Sequence, residues 1–234
     1  MSQEAGDGTL KNRIYAELRS SIIMGHRPPG ARINVREIAE QYGASITPVR
    51  EALQMLHQEG LVTIKPHSGY LVTRLTLKQL RDLFELREIL ELGAIERAAA
   101  RISDEQLAEI ERIYAGYSGD DDESYARYTA ENRRFHCLIA QATGNQELAE
   151  TLGHVHDRLA RFMVMRRAGR SMQQSHSRII QALRARDPKA ACAALSDELA
   201  DTRSVVLDRV IQEQGAAWHV AGGQDRRGDA PAAG

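Results

Sequence analysis

The sequence predicts a mainly helical protein in two units: a small N-terminal one that closes on a β-hairpin wing, then an all-α bundle of six helices. Three observations carry this. Apolar residues recur at helical spacing through most of the 234 residues. Residues 61–73 break the period with β-branched residues around a Pro-His-Ser-Gly turn. Charge divides at about the same place. Residues 10–75 hold nine Lys or Arg against five Glu, a net of +4, which leaves −5 for the rest of a chain whose total is −1.

Residues 1–9 carry no apolar stripe and are expected to be flexible. Ile14, Leu18 and Ile22 then fall every four residues, one face of a helix that ends at Gly25. A short second helix is expected over about residues 35–42, with Asn34 as its N-cap and Gly43 as its stop. Ser45 caps a third, whose Val49, Leu53 and Leu56 face the core and which stops at Gly60. Residues 61–73 follow as two strands folded around Pro66-His67-Ser68-Gly69. This order, over residues 10–75, is that of a winged helix-turn-helix.

Helical spacing resumes at Thr76 and lasts to about Gln214, enough chain to bury its own core. Breaks near residues 102–103, 116–122, 143–145, 168–171 and 186–188 divide residues 76–214 into six helices. Asp187-Pro188 sets a cap before a proline at the first helical position. Residues 215–234, rich in Gly, Ala, Asp and Arg, are expected to form a flexible tail. No apolar run approaches the roughly 18–20 residues of a bilayer span, and the polar N-terminus lacks the core of a secretory signal. A cytoplasmic protein without a membrane partner is expected. Cys137 and Cys192 lack CxxC spacing, which argues against a disulfide framework and against a thiolate zinc site.

In a winged helix the third helix enters the major groove of double-stranded DNA. Its first turn here presents the hydroxyls of Ser45 and Thr47, the Arg50 guanidinium and the positive end of a helix dipole. Arg50 is the candidate base reader, because a guanidinium grips guanine O6 and N7 with two bonds. A surface ion pair with a neighbouring Glu is the alternative.

In the bundle the informative residues are polar ones on apolar stripes. Asn132 and His136 lie one turn apart and point inward, His176 leads a stripe with Ile179, Ile180 and Leu183, and Glu198 lines up with Leu195 and Thr202. Donors from three helices could close around a divalent metal, zinc foremost, with nickel, manganese or iron as options. Hydrogen-bonded core residues are the alternative. His154 and His156 are additional candidates, but they alternate on one helix, so at most one faces in. Arg87 and Glu91, four apart on a stripe with Phe84, form an intrahelical ion pair, or else Arg87 faces a cavity and grips an anion.

Three runs of residues carry a resemblance. Pro29-Gly30-Ala31-Arg32-Ile33-Asn34-Val35-Arg36-Glu37, Ser45-Ile46-Thr47-Pro48-Val49-Arg50-Glu51-Ala52-Leu53 and Pro66-His67-Ser68-Gly69-Tyr70 together resemble the DNA-binding domain of GntR-family transcription regulators. The resemblance implies DNA contacts at Arg36, Ser45, Thr47, Pro48 and Arg50, with His67 and Gly69 in the wing. Ile46 departs from it, since the family usually has Arg before Thr-Pro.

The bundle is similar to the FCD ligand-sensing domain of the FadR subfamily, through Leu83-Phe84-Glu85-Leu86-Arg87, Asn132-Arg133-Arg134-Phe135-His136, Thr143-Gly144-Asn145 and His176-Ser177-Arg178-Ile179-Ile180. Metal-containing members use an Asp and three His. Those positions fall on Asn132, His136, His176 and Glu198, so two of the four ligands are exchanged. Relatives of this kind commonly take a small organic acid whose carboxylate reaches the metal, which Arg87 would assist.

The combined expectation is a homodimeric, ligand-responsive repressor on a palindromic operator. A small carboxylate effector would shift the two DNA-binding units about a junction at residues 73–77. Two rivals stand beside it: a metal-dependent enzyme using the His/His/Glu site, and a DNA-binding dimer indifferent to any effector.

Overall fold

A computed structural model of the protein describes residues 2–113, 121–166 and 169–221, with side chains for residues 10–113, 121–164 and 173–212. The N-terminal unit comprises α1 (Ser2–Ile23), β1 (Arg32–Ile33), α2 (Val35–Tyr42), α3 (Ile46–Gln58), β2 (Val62–Lys65) and β3 (Gly69–Val72). Ile14, Leu18 and Ile22 of α1 meet Ile38 of α2 and Val49, Leu53 and Leu56 of α3 in one apolar core, which Val62 and Val72 close from the hairpin.

Local chemistry sets the boundaries. The Asn34 side chain accepts from Arg36 N at 3.0 Å, and Gly43 ends α2 in the left-handed region at φ 57°. The β2–β3 register pairs Val62 with Val72 and Lys65 with Gly69. Sequence periodicity missed β1, which adds to β3 to give the order β1-β3-β2. Two residues are too few to show a period; the strand is held instead by pairing with Tyr70 and Leu71 and by the buried Ile33.

At both ends the described helices run past the bounds expected from the sequence. The backbone of residues 2–9, expected to be flexible, continues α1, since extending a helix already nucleated by a buried face costs little. The last helix likewise passes Gln214 to Ala221 through an Ala-rich stretch, so only residues 222–234 of the expected tail lie outside the described residues.

The second unit has six helices among the described residues: α4 (Leu77–Arg101), α5 (Asp104–Ile113), α6 (Asp122–Gln141), α7 (Gln146–Arg166), α8 (Gly169–Arg184) and α9 (Pro188–Ala221). Their breaks fall near the expected places, although most of the one at 116–122 and part of the one at 168–171 lie outside the described residues. Asp121 accepts from Ser124 N at 2.7 Å to start α6, and Asp187 from Ala190 N at 3.0 Å to start α9. One apolar cluster joins Ile95, Phe135, Ile139, Ile179, Leu183 and Leu195; a second joins Leu80, Phe84, Leu159, Met163 and Val206. Among the described residues no helix is long and apolar enough to cross a membrane.

Four residues connect the wing to α4, and they are tied down. Thr73 Oγ1 lies 2.9 Å from Thr63 Oγ1, Arg74 Nε donates to Pro29 O at 3.0 Å, and Thr76 opens α4 with a complete capping box to Gln79. A second joint forms where α1 lies against α7. Arg19 Nη2 donates to Asp157 Oδ1 at 2.7 Å and Arg19 Nε to Glu59 Oε2 at 3.0 Å, while Arg133 Nη2 reaches Asp157 Oδ2 at 2.9 Å.

Candidate functional site

The N-terminal unit turns its polar candidates outward. Arg36, Ser45, Thr47, Arg50 and His67 are all exposed, and Gly69 is partly so. Ser45 occupies the N-cap of α3 yet makes no side-chain cap bond, which leaves its hydroxyl at the surface beside the helix N-terminus. The wing tip turns through two positive φ values, 61° at His67 and 76° at Gly69; the latter suits a residue without a Cβ. Pro48 is a correction: it is buried with Val49 on the inner side of α3. Proline in the first turn fixes the start of the helix, and here its ring serves the core instead of reaching for DNA.

The bundle does the opposite. Its helical stripes carry Arg87, Glu91, Asn132, His136, His156, His176, Glu198 and Thr202 into the interior, each no more than 3% exposed. Their order follows from the helices. Arg87 and Glu91 are one turn apart on α4, and Arg87 Nε donates to Glu91 Oε1 at 2.7 Å. Glu91 also receives His156 Nε2 from α7 at 2.8 Å and approaches His136 Nδ1 of α6 at 2.9 Å. The far nitrogen of His136 faces Glu198 Oε1 of α9 at 3.3 Å, and His176 Nε2 of α8 lies 3.6 Å from the same oxygen. Phe135 stacks on the His176 ring at 3.9 Å between centroids.

Three of the four expected metal ligands therefore converge. One donor atom each from His136, His176 and Glu198 lies within 4.8 Å of the others. Ligand atoms about 2.1 Å from a tetrahedral zinc are about 3.4 Å apart, close to the two separations above. Glu91 on His136 Nδ1 matches the outer carboxylate that fixes a ligating imidazole, leaving Nε2 for the ion. Neither Glu198 oxygen completes a hydrogen bond among the described residues, and neither does either amide atom of Asn132. Buried polar atoms normally find partners, so these orphans fit a site built for a further group.

Arg87 sits fully buried in the geometry of an intrahelical ion pair, and its outer nitrogens face the cluster. Nη2 is 3.4 Å from His136 Nε2 and 4.0 Å from Glu198 Oε1. Charge is shared accordingly. Burial disfavours an imidazolium at His136, but Glu91 and Glu198 on either side outweigh it and raise its pKa to about 9. Burial and Arg87 lower His156 to about 4, and burial lowers His176 against the pull of Glu198. Glu91 and Glu198 stay well below the usual carboxylate range; against burial, Arg87 holds the first, His176 the second, and His136 both.

Of the two further candidates His154 and His156, of which at most one could face in, it is His156 that does, whereas its contact and that of His136 with Glu91 had no signal in the sequence. His156 rides one stripe with the buried Leu152, Leu159 and Met163 while His154 is exposed.

Comparison with known proteins agrees with both halves. Residues 10–72 match the description "Bacterial regulatory proteins, gntR family", and residues 82–201, about half of the chain, match "FCD domain". The chain is 28% identical over 188 residues to the HTH-type transcriptional regulator YdhC of Bacillus subtilis, spanning 76% of this chain and 83% of that protein. It is 26% identical over 215 residues to the HTH-type transcriptional repressor RspR of Escherichia coli, spanning 89% and 93%. In structure it is similar to E. coli McbR/YncC, with a TM-score of 0.70 at 22% identity over 86% of this chain and 98% of that one. A DNA-binding unit followed by a ligand-binding one is the architecture of a transcription regulator and not of an enzyme. The chain belongs to the GntR family of bacterial regulatory proteins, and its helical body is an FCD domain.

Proposed function

We propose that the protein is a dimeric repressor whose buried cluster binds a divalent metal, with zinc the best match to its donors, and beside it a small carboxylate that alters operator affinity. The charge balance of the cluster carries this reading. Without a metal, Arg87 and a protonated His136 offset Glu91 and Glu198. A divalent ion held by His136, His176 and Glu198, with the Asn132 carbonyl as a neutral fourth donor, would supply a Lewis-acidic attachment point for an acid. With the His136 proton displaced, the cluster then carries one excess positive charge, which one carboxylate neutralises. Arg87 stands within 4.0 Å of Glu198 to orient it.

On DNA, Arg50 would read a guanine, Thr47 and Ser45 would meet phosphate or base edges, Arg36 would hold backbone phosphate, and His67 and Gly69 would approach the minor groove. Ile46, 39% exposed at the position where the family resemblance leads one to expect Arg, presents an apolar side chain suited to a thymine methyl. The similarity to RspR, a named repressor, supports repression. Two copies on a palindrome supply the symmetry that such operators mirror.

The test is elemental analysis of chelator-free protein, joined to a thermal-shift series of small organic acids before and after metal removal. About one metal per chain and acid stabilisation lost on chelation are expected. Effector and operator must also change each other's affinity by the same factor. A second reading rests on Arg87: its guanidinium already supplies a cation to His136 and Glu198, so a metal-free cluster could stand as a packing device in an effector-independent binder. Absence of metal, together with operator binding that no acid alters, would establish that reading instead.

A further inference from the structure

The two domains enclose a cavity at their junction, away from the buried charged cluster. It holds about 560 Å³, within the size range of small-molecule sites. Leu61 and Val72 form its wall on the winged unit, Leu80, Phe162 and Val210 its wall on α4, α7 and α9, and residues 73–77 run along its edge. None of Arg87, His136, His176 or Glu198 lines it. Its charge is one-sided. Arg74, Arg158 and Arg161 reach the cavity, and among the described residues no Asp or Glu does.

Arg158 is the cation with a free hand. Its neighbour in sequence, Asp157, turns to the other joint and is taken up there by Arg19 and Arg133. Among the described residues no hydrogen bond or ion pair engages the Arg158 guanidinium. The stem of Arg158 crosses from α7 to the winged unit over Gly60, where a Cβ would lie only 3.0 Å from Arg158 Cγ. Gly60, at φ 75°, leaves that passage open.

We infer that this junction cavity is a ligand site in its own right, for an amphipathic anion: a hydrocarbon body against Leu61, Val72, Leu80 and Phe162, and one anionic head on Arg158. The walls favour hydrocarbon, because each apolar group moved onto them leaves water. The head must be an anion, because a guanidinium offers donors only and grips carboxylate, sulfonate or phosphate oxygens in parallel pairs. A small acid without an apolar body gains little here, so the site is distinct in chemistry as well as in place from the metal centre proposed above. An occupant touches the end of β3, the linker and α7 together, and so stiffens the joint between the domains.

The test uses full-length protein and three probes, butane-, hexane- and octane-1-sulfonate, with affinity measured by calorimetry. Sulfonates keep their charge and are poor metal ligands, so their binding does not depend on the buried cluster. Affinity should rise about three- to fourfold for each added methylene. Arg158→Met, which keeps the stem over Gly60 and removes the charge, should weaken octane-1-sulfonate binding at least about tenfold, and Arg158→Lys should restore most of it. Leu77→Trp, which fills the cavity from the first turn of α4, should cost a similar factor with the head-binding arginines intact. No saturable binding to wild type, an affinity flat with chain length, or equal binding by wild type and both Arg158→Met and Leu77→Trp would overturn the site. Each of those results would leave the proposed function standing.

Discussion

Arginine serves both domains, in opposite surroundings. In the winged unit Arg36 and Arg50 stand in solvent around a wholly apolar core, whereas Arg87 in the helical body is fully buried within a charged cluster. The first arrangement separates recognition from folding, because water solvates the charge whether or not DNA is present. The second joins them, since every charge taken inside depends on its partners for solvation. Substitutions should therefore sort the domains by whether stability and function move together.

The largest effect should come from the interior. Glu91→Ala leaves Arg87 buried without its ion pair and strips His136 and His156 of their acceptor, which should destabilise the protein by about 3–5 kcal/mol in denaturant unfolding. A loss under about 1 kcal/mol, the range of a surface pair, would erase the contrast.

The pH dependence of metal uptake comes next. His136 has a folded pKa of about 9 against an ordinary 6.5, so its stabilising charge in metal-free protein is fully present below pH 6.5 and is lost as pH rises through about 9. A metal on Nε2 must displace that proton. Apparent affinity should rise about tenfold per pH unit below 9 and level off above it, as competition titrations would show, and the slope should vanish in His136→Ala. The same variant should lose most of its metal and keep its operator binding.

At the surface, Arg50→Ala should weaken specific operator binding by about 1–3 kcal/mol in fluorescence titrations while moving stability by less than about 0.5 kcal/mol. Unchanged affinity would withdraw its base-reading role. The smallest effect sharpens the surface side. Asn34 makes its cap bond and Ser45 does not, so Asn34→Ala should cost about 1 kcal/mol and Ser45→Ala only a few tenths, with Ser45→Ala acting on operator affinity instead.

The two domains also differed in how much their residues disclosed beforehand. Helices α2 and α3 and the hairpin announce themselves through neighbours in sequence: a cap at Asn34, a stop at Gly43, a change of period after Gly60. What escaped was β1, held by pairing to distant Leu71 and Tyr70, and the inward turn of Pro48, which depends on which side of α3 meets the core. In the bundle each polar residue could be picked out singly, because it interrupted an apolar stripe. Their meeting could not, since Glu91, His136, His176 and Glu198 come from four helices whose relative rotation no local signal encodes. For the same reason the cavity at the domain junction had no signature in any one element.

Helix α4 has one further consequence, which concerns transmission. It is 25 residues long, about 37 Å of rod at 1.5 Å per residue, and a complete capping box fixes its start four residues after the wing strand ends. Arg87 and Glu91 ride near its middle, about 16–22 Å from that start. A rod of this stiffness conveys a push along its axis undiminished and enlarges a tilt in proportion to its length. A rotation of about 5° pivoting at Glu91 would thus carry the wing end about 2 Å, a displacement on the scale of the contacts that hold a recognition helix in its groove.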